Sequence, residues 1–289
     1  MAIRNERNES VDDIHRDYSP FVRQVLQYSN INPLSSDGYY EMDDGWNKEL
    51  QTRSTMSPIE PNDKIVLLVG DSFTFGDGML HKDTFGALLQ NTKPFENYKV
   101  INIAQRGTSN SLINLMLTRW CNVYGSQVEM VIIGYTFRSR RLYFASTDKL
   151  PEFGCCNNIN PGHVPTGRFN IPWMKDVYKA NLTLSTFEND TNDFETNVLA
   201  TKGLGKIHNF KTYWWSIEEN ERWNQEPKRL ENNTELVDDD NFKFINIAGQ
   251  FSKTYEEELA YHISEDDGHW SEKGHSAIAD RIIEAIDEC

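Results

Sequence analysis

Between Lys64 and Tyr135 the chain switches back and forth between β-branched apolar runs and helical stripes, and few folds accommodate that alternation. IVLLV (65–69) is a continuous apolar stretch, the pattern of a strand covered on both faces; KVINIA (99–104) reads as a second buried strand and EMVIIGY (129–135) as a third. DTFGALLQN (83–91) sets Phe85, Leu88 and Leu89 on one side of a helix. SNSLINLMLTRWCNVY (109–124) carries apolar residues at 112, 113, 116, 117, 120 and 123, a second helical stripe with Ser109 as its N-cap. Strand, helix, strand, helix, strand at this spacing predicts βαβ units and a parallel sheet with helices on both faces. TYWWS (212–216) and FKFINIA (242–248) read as two further strands. The C-terminal SEKGHSAIADRIIEAIDEC reads as a helix with Ser271 as N-cap and Ile278, Ile282, Ala285 and Ile286 on one face.

The remaining segments are less regular. Residues 1–60 are polar and weakly periodic, and we read them as an N-terminal extension packed on a main domain of residues 61–289. Within the extension, 22–30 suggests a short helix and 32–46 turns around a strand. The middle region, about 137–241, is insertion-rich: 137–210 carries Pro, Gly, Asn and scattered aromatics and reads as loops and short helices laid over the sheet, and its stretch 198–210 is a weak helix, because two glycines interrupt it.

With 289 residues and 38% hydrophobic content, the chain can bury one large core or two modest ones. Its 29 basic and 44 acidic side chains give a formal charge of −15, which argues against nucleic acid or an anionic membrane as the main partner. The first twenty residues are charged throughout, with no apolar run long enough for a leader or a membrane span. The expectation is a soluble, cytoplasmic protein. Cys121, Cys155, Cys156 and Cys289 lack CxxC spacing and read as free thiols. No metal or cofactor is expected: His15, His81, His163, His208 and His262 lack ligand spacing, and the acidic run 238–240 lacks the spaced ligands of a calcium loop.

In an open parallel sheet, ligands bind beyond the carboxyl ends of the strands. Ser72 in GDSFTFG (70–76) follows the first strand, Gly107 in AQRGTSN the second, and Thr136 the third; ISEDDGHWSEKGH (263–275) precedes the last helix. These segments should meet at one rim. Ser72 is either turn chemistry or a nucleophile. A serine hydroxyl needs a base within reach, imidazole suits that task, and a carboxylate on the other ring nitrogen fixes the tautomer. Asp266 and His269, at DxxH spacing, can supply both, with Asp267 a rival for the acid. The backbone N–H groups of Ser72 and Gly107 are natural donors to a developing oxyanion. Asp71 reads as a turn residue and His275 as a packed histidine.

The stretches GDSFTFG (70–76), NIAQRGTSN (102–110) and DDGHWSEKGH (266–275) together resemble the SGNH, or GDSL, hydrolases. The resemblance spans roughly residues 64–136 and 242–287. It implies an α/β fold, a flavodoxin-like three-layer α/β/α sandwich with a mostly parallel five-stranded sheet. It also implies catalytic Ser72, Asp266 and His269, with Ser72 and Gly107 in the oxyanion hole. The family's third motif, usually GxND, here reads GYTF (134–137), so Thr136 stands where an asparagine side chain normally completes the hole. Arg138, Arg140 or Arg141 could supply the missing positive potential, and Arg138 and Arg140 are the expected substrate-facing pair. The activity implied is hydrolysis of a small acyl, acetyl-like ester, possibly on a carbohydrate. An O-acyltransferase using the same residues, or a non-catalytic carbohydrate-binding module, are the alternatives.

Overall fold

A computed structural model describes residues 46–47, 52–53, 59–105, 108–144, 156–159, 180, 183, 186–217, 240–245, 259–264 and 267–287. The central sheet is built on five parallel strands: β3 (Ile65–Val69), β4 (Lys99–Asn102), β5 (Val128–Tyr135), β8 (Lys211–Ser216) and β9 (Phe242–Phe244). Their spatial order is β4-β3-β5-β8-β9. Numbered by appearance among the parallel strands this is 2-1-3-4-5, the flavodoxin-like order, with its switch point between the first strand and its neighbours. Two short strands extend the β4 edge, giving seven in all: β2 (Thr52–Arg53) lies antiparallel on β4 and β1 (Trp46–Asn47) antiparallel on β2. The five parallel strands are those expected, and the two short antiparallel strands, Trp46–Asn47 and Thr52–Arg53, widen the sheet at that edge. The expected helix at 22–30, and all of 32–46 except Trp46, lie outside the described residues.

The strand sequences explain the layers. Side chains of IVLLV alternate between the faces, yet all five are fully buried, because helices cover both sides. Ile65, Leu67 and Val69 pack into one core with Leu112, Ile113, Met116, Leu117 and Trp120 of α3 (Asn110–Tyr124) and with Phe194 and Val198 of α4 (Phe187–His208). Val66 and Leu68 pack into the other, with Phe85 and Leu89 of α2 (Phe85–Gln90) and Ile278, Ala279 and Ile282 of α5 (Glu272–Asp287). Ser109 caps α3, its side chain accepting the Leu112 N–H. Cys121 lies in the first core, where burial pushes its thiol up to about 12.

One expected helix is longer than read, one expected strand lies partly outside the described residues, and two small strand pairs are additional. The weak helix at 198–210 is the C-terminal half of the 22-residue α4, which begins at Phe187 behind the N-cap Thr186 and ends at Asn209 in the left-handed conformation. The expected strand 242–248 is described only as Phe242–Phe244, and 246–248 lie outside the described residues. Two small antiparallel pairs were not expected: β6 (Arg141–Phe144) with β7 (Cys156–Ile159), and β10 (His262–Ser264) with β11 (Asp267–Trp270).

Candidate active site

The first parallel strand ends in a single helical turn, α1 (Ser72–Phe75). Asp71 is its N-cap, with Oδ1 accepting the Phe73 N–H at 3.0 Å. Gly76 closes the turn at φ 80°, a left-handed conformation that disfavours any side chain, and its N–H donates to the Ser72 carbonyl at 3.0 Å. The second half of the motif is thus a backbone requirement.

Gly70 has a different reason. A Cβ there would come within 2.6 Å of the Thr74 Cβ and 2.9 Å of the Gly134 carbonyl oxygen. Gly134, on the adjacent strand, is equally confined by Trp215 at 2.6 Å. The space cleared by these two glycines is filled by Thr74 of α1, so the turn that carries Ser72 lies directly on the sheet end. Gly70→Ala is expected to cost about 1–3 kcal/mol by overpacking. Denaturant unfolding of the variant checks this, and Thr74→Ala in the same chain should recover part of the loss.

Ser72, nearly buried, lies at the N-terminal position of this turn. His269 reaches it from β11, and its Nε2 sits 2.9 Å from Ser72 Oγ, across 197 residues of sequence. That geometry suits a hydroxyl donating to a neutral imidazole. The ring is held against Phe73, with centroids 4.9 Å apart and tilted by 35°, and Phe73 in turn packs edge-on against Trp270. The Asp77 carboxylate also faces the site, with Oδ2 3.9 Å from His269 Nε2. Asp77 and Phe73 were not singled out in the sequence, although both belong to the GDSFTFGDG run. Asp266 and Gly107 lie outside the described residues.

The strand-end loops converge on Asp71, which is almost wholly buried. Thr136 Oγ1 donates to Asp71 Oδ2 at 2.6 Å. Arg140 Nη1 donates to the same oxygen at 3.0 Å and to the Thr108 carbonyl at 3.2 Å. Asn110 fixes the third loop by accepting the Thr136 N–H at 2.8 Å and donating to its carbonyl at 3.0 Å. A hydroxyl has one proton to give, and that of Thr136 goes to Asp71. The arginine run is held as well: Arg138 is buried with its guanidinium 4.4 Å from the Phe194 ring centre, and Arg141 pairs with Asp190 and Asp193 on α4. His275 is buried too, accepting the Phe85 N–H at 3.2 Å and stacking on the Phe85 ring.

The strand order places Ser72 beyond the first parallel strand and His269 just before the last helix. The five parallel strands have the flavodoxin-like order that the resemblance to the SGNH, or GDSL, hydrolases implies. Solved structures that resemble it include an acetylxylan esterase from Geobacillus stearothermophilus, 18% identical, with a TM-score of 0.41 over 77% of this chain and 94% of that one. A family 3 carbohydrate esterase of Clostridium thermocellum is 14% identical, with a TM-score of 0.41 over 78% of this chain and 96% of its own. The psychrotrophic esterase EstA from Pseudoalteromonas sp. is 15% identical, with a TM-score of 0.41 over 78% and 98%. No protein-family model matches the sequence, and no curated protein does. Overlaps of this size say nothing about substrate. Among the described residues, no helix is long and apolar enough to cross a membrane.

Proposed function

We propose that this protein is a serine esterase of SGNH type that cleaves a small acyl, acetyl-like ester through an acyl-serine intermediate, with a carbohydrate ester as the candidate substrate class. The observation that carries the proposal is the 2.9 Å approach of His269 Nε2 to Ser72 Oγ. That is the distance general-base activation of a hydroxyl requires.

The steps follow from that contact. Ser72 Oγ attacks the ester carbonyl as its proton passes to His269 Nε2, and the carbonyl π electrons move onto oxygen. The backbone N–H groups of Ser72 and Gly107 hold that oxyanion, while Asp266 orients the imidazole from its far side. Collapse of the tetrahedral intermediate breaks the C–O bond to the alcohol, which takes the proton from Nε2. Water then repeats the sequence on the acyl-serine, releasing the carboxylic acid and restoring the hydroxyl.

The test is labelling by a serine-directed phosphonate alongside turnover of a chromogenic acetyl ester. One phosphonyl group per chain, on the peptide containing Ser72, together with ester turnover that the label abolishes, is the expected result. A chain that neither reacts nor turns over ester would instead be a non-catalytic module on this fold.

A further inference from the structure

We propose that Arg140 is a positioning residue that makes good the asparagine lacking from the third strand-end loop; the proposal rests on the esterase reading of Ser72 and His269. Three loops leave the carboxyl ends of β3, β4 and β5, and each sends a group to one small knot. Asp71 comes from the first loop, the Thr108 carbonyl from the second, and Thr136 and Arg140 from the third. The Arg140 guanidinium joins the first two, at 3.0 Å to Asp71 Oδ2 and 3.2 Å to the Thr108 carbonyl. It is itself shaped by its own turn: the Arg140 N–H donates to the Phe137 carbonyl at 3.1 Å, and the guanidinium sits 5.0 Å from the Phe137 ring centre. The pair is shielded, with 11% of the Arg140 side chain and 1% of the Asp71 side chain exposed.

The two residues that Arg140 ties together are the sequence neighbours of the two proposed oxyanion donors. Asp71 precedes Ser72, and Thr108 follows Gly107. An asparagine side chain in the third loop would offer an amide donor directly. Thr136 is shorter, and its proton is committed to Asp71. The hole therefore relies on backbone N–H groups from two separate loops, and such donors act only when held about 2.7–3.1 Å from the oxyanion. Slack of about 1 Å between the loops can cost up to ~10²-fold in rate. The brace serves a charge that exists only in the transition state, so its loss should appear in kcat and leave KM nearly unchanged. Arg140 touches neither the substrate nor the reacting atoms. Its role is to hold Asp71 and Thr108, and the binding of anionic substrates is not part of that role.

The experiment compares the full chain with Arg140→Ala, Arg140→Lys and Thr136→Val on a chromogenic acetyl ester, with kcat expressed per serine titrated by phosphonate. For Arg140→Ala, kcat per titrated serine is expected to fall about 10–100-fold, with KM within about twofold, and guanidinium ion added to the assay should restore part of the loss. The native enzyme should gain nothing from guanidinium. Arg140→Lys, which keeps the charge without the planar fork, should fall between native and Arg140→Ala. Thr136→Val should lose less than Arg140→Ala, because Arg140 still grips Asp71. A native-like kcat per titrated serine in Arg140→Ala, with merely fewer serines titrating, overturns the proposal and leaves the esterase standing. If Arg140→Ala does not fold, Arg140→Lys and Thr136→Val decide: a lowered kcat at constant KM supports the brace, and unchanged turnover in both overturns it. A native chain that neither hydrolyses the ester nor takes the label overturns the esterase reading, and this proposal with it.

Discussion

Ser72→Ala is expected to lower kcat for acetyl-ester hydrolysis by on the order of 10⁴–10⁶-fold. The estimate follows from what the hydroxyl does. It is the only atom proposed to bond to the acyl carbon, and water in its place would lack both the covalent intermediate and the fixed approach. His269→Ala should produce a loss of similar size, since Ser72 Oγ would then keep its proton. The double variant should be no slower than either single one, because a nucleophile and its base act as one unit. Folding should be little affected by Ser72→Ala: the Asp71 cap on the Phe73 N–H and the Gly76 closure of α1 use no Ser72 side-chain atom. Steady-state kinetics with circular dichroism of each variant check the set. Residual turnover within tenfold of native in Ser72→Ala would remove Ser72 from the mechanism.

What could be read from the sequence follows from how each element is covered. The strand Ile65–Val69 is apolar along its whole length, and Val128–Tyr135 is so apart from Glu129 near its start, because both faces are buried, so they appear as plain runs. The N-terminal half of α4 has no such signal. The inward positions of α4 as a whole, Thr191, Phe194, Val198 and Thr201, follow helical spacing, but two of the four are threonines, and the turns of its first half are rich in Asn and Asp. Those residues compete with the helix through local hydrogen bonds and weaken the pattern. Thr201 lies inward because it meets a polar partner, the Tyr135 hydroxyl at 2.6 Å. The hairpin that carries His269 is too short to show a period; only its chemistry, DxxH before a helix, marked it. Ser72 was visible because Gly-Asp-Ser at a strand end is an unusual way to stop. Asp71 beside it looked like an ordinary turn residue. Its partners Thr136 and Arg140 lie 65 and 69 residues away, and a contact at that separation leaves no local pattern.

Asp71→Ala is the stability counterpart of the Ser72 prediction, with an expected loss of about 3–5 kcal/mol. Three donors lose their acceptor at once: the Phe73 N–H, the Thr136 hydroxyl and the Arg140 guanidinium. The guanidinium matters most, because a shielded charge without a counter-ion costs more than a pair of neutral groups. Asp71→Asn should be milder, since the amide oxygen can still accept the Phe73 N–H, although it cannot balance the charge. A loss of this size corresponds to about 5–10 °C in Tm for a domain of this length. If the orphaned charge is the main cause, Asp71→Ala with Arg140→Met should be more stable than Asp71→Ala alone, a coupling that a double-mutant cycle reads directly. Additive losses in that cycle would mean that Asp71 stabilises the fold through its cap on α1 and its bond from Thr136, and not through Arg140. The brace between the first and second loops would then carry no weight in the fold, whatever it contributes to turnover.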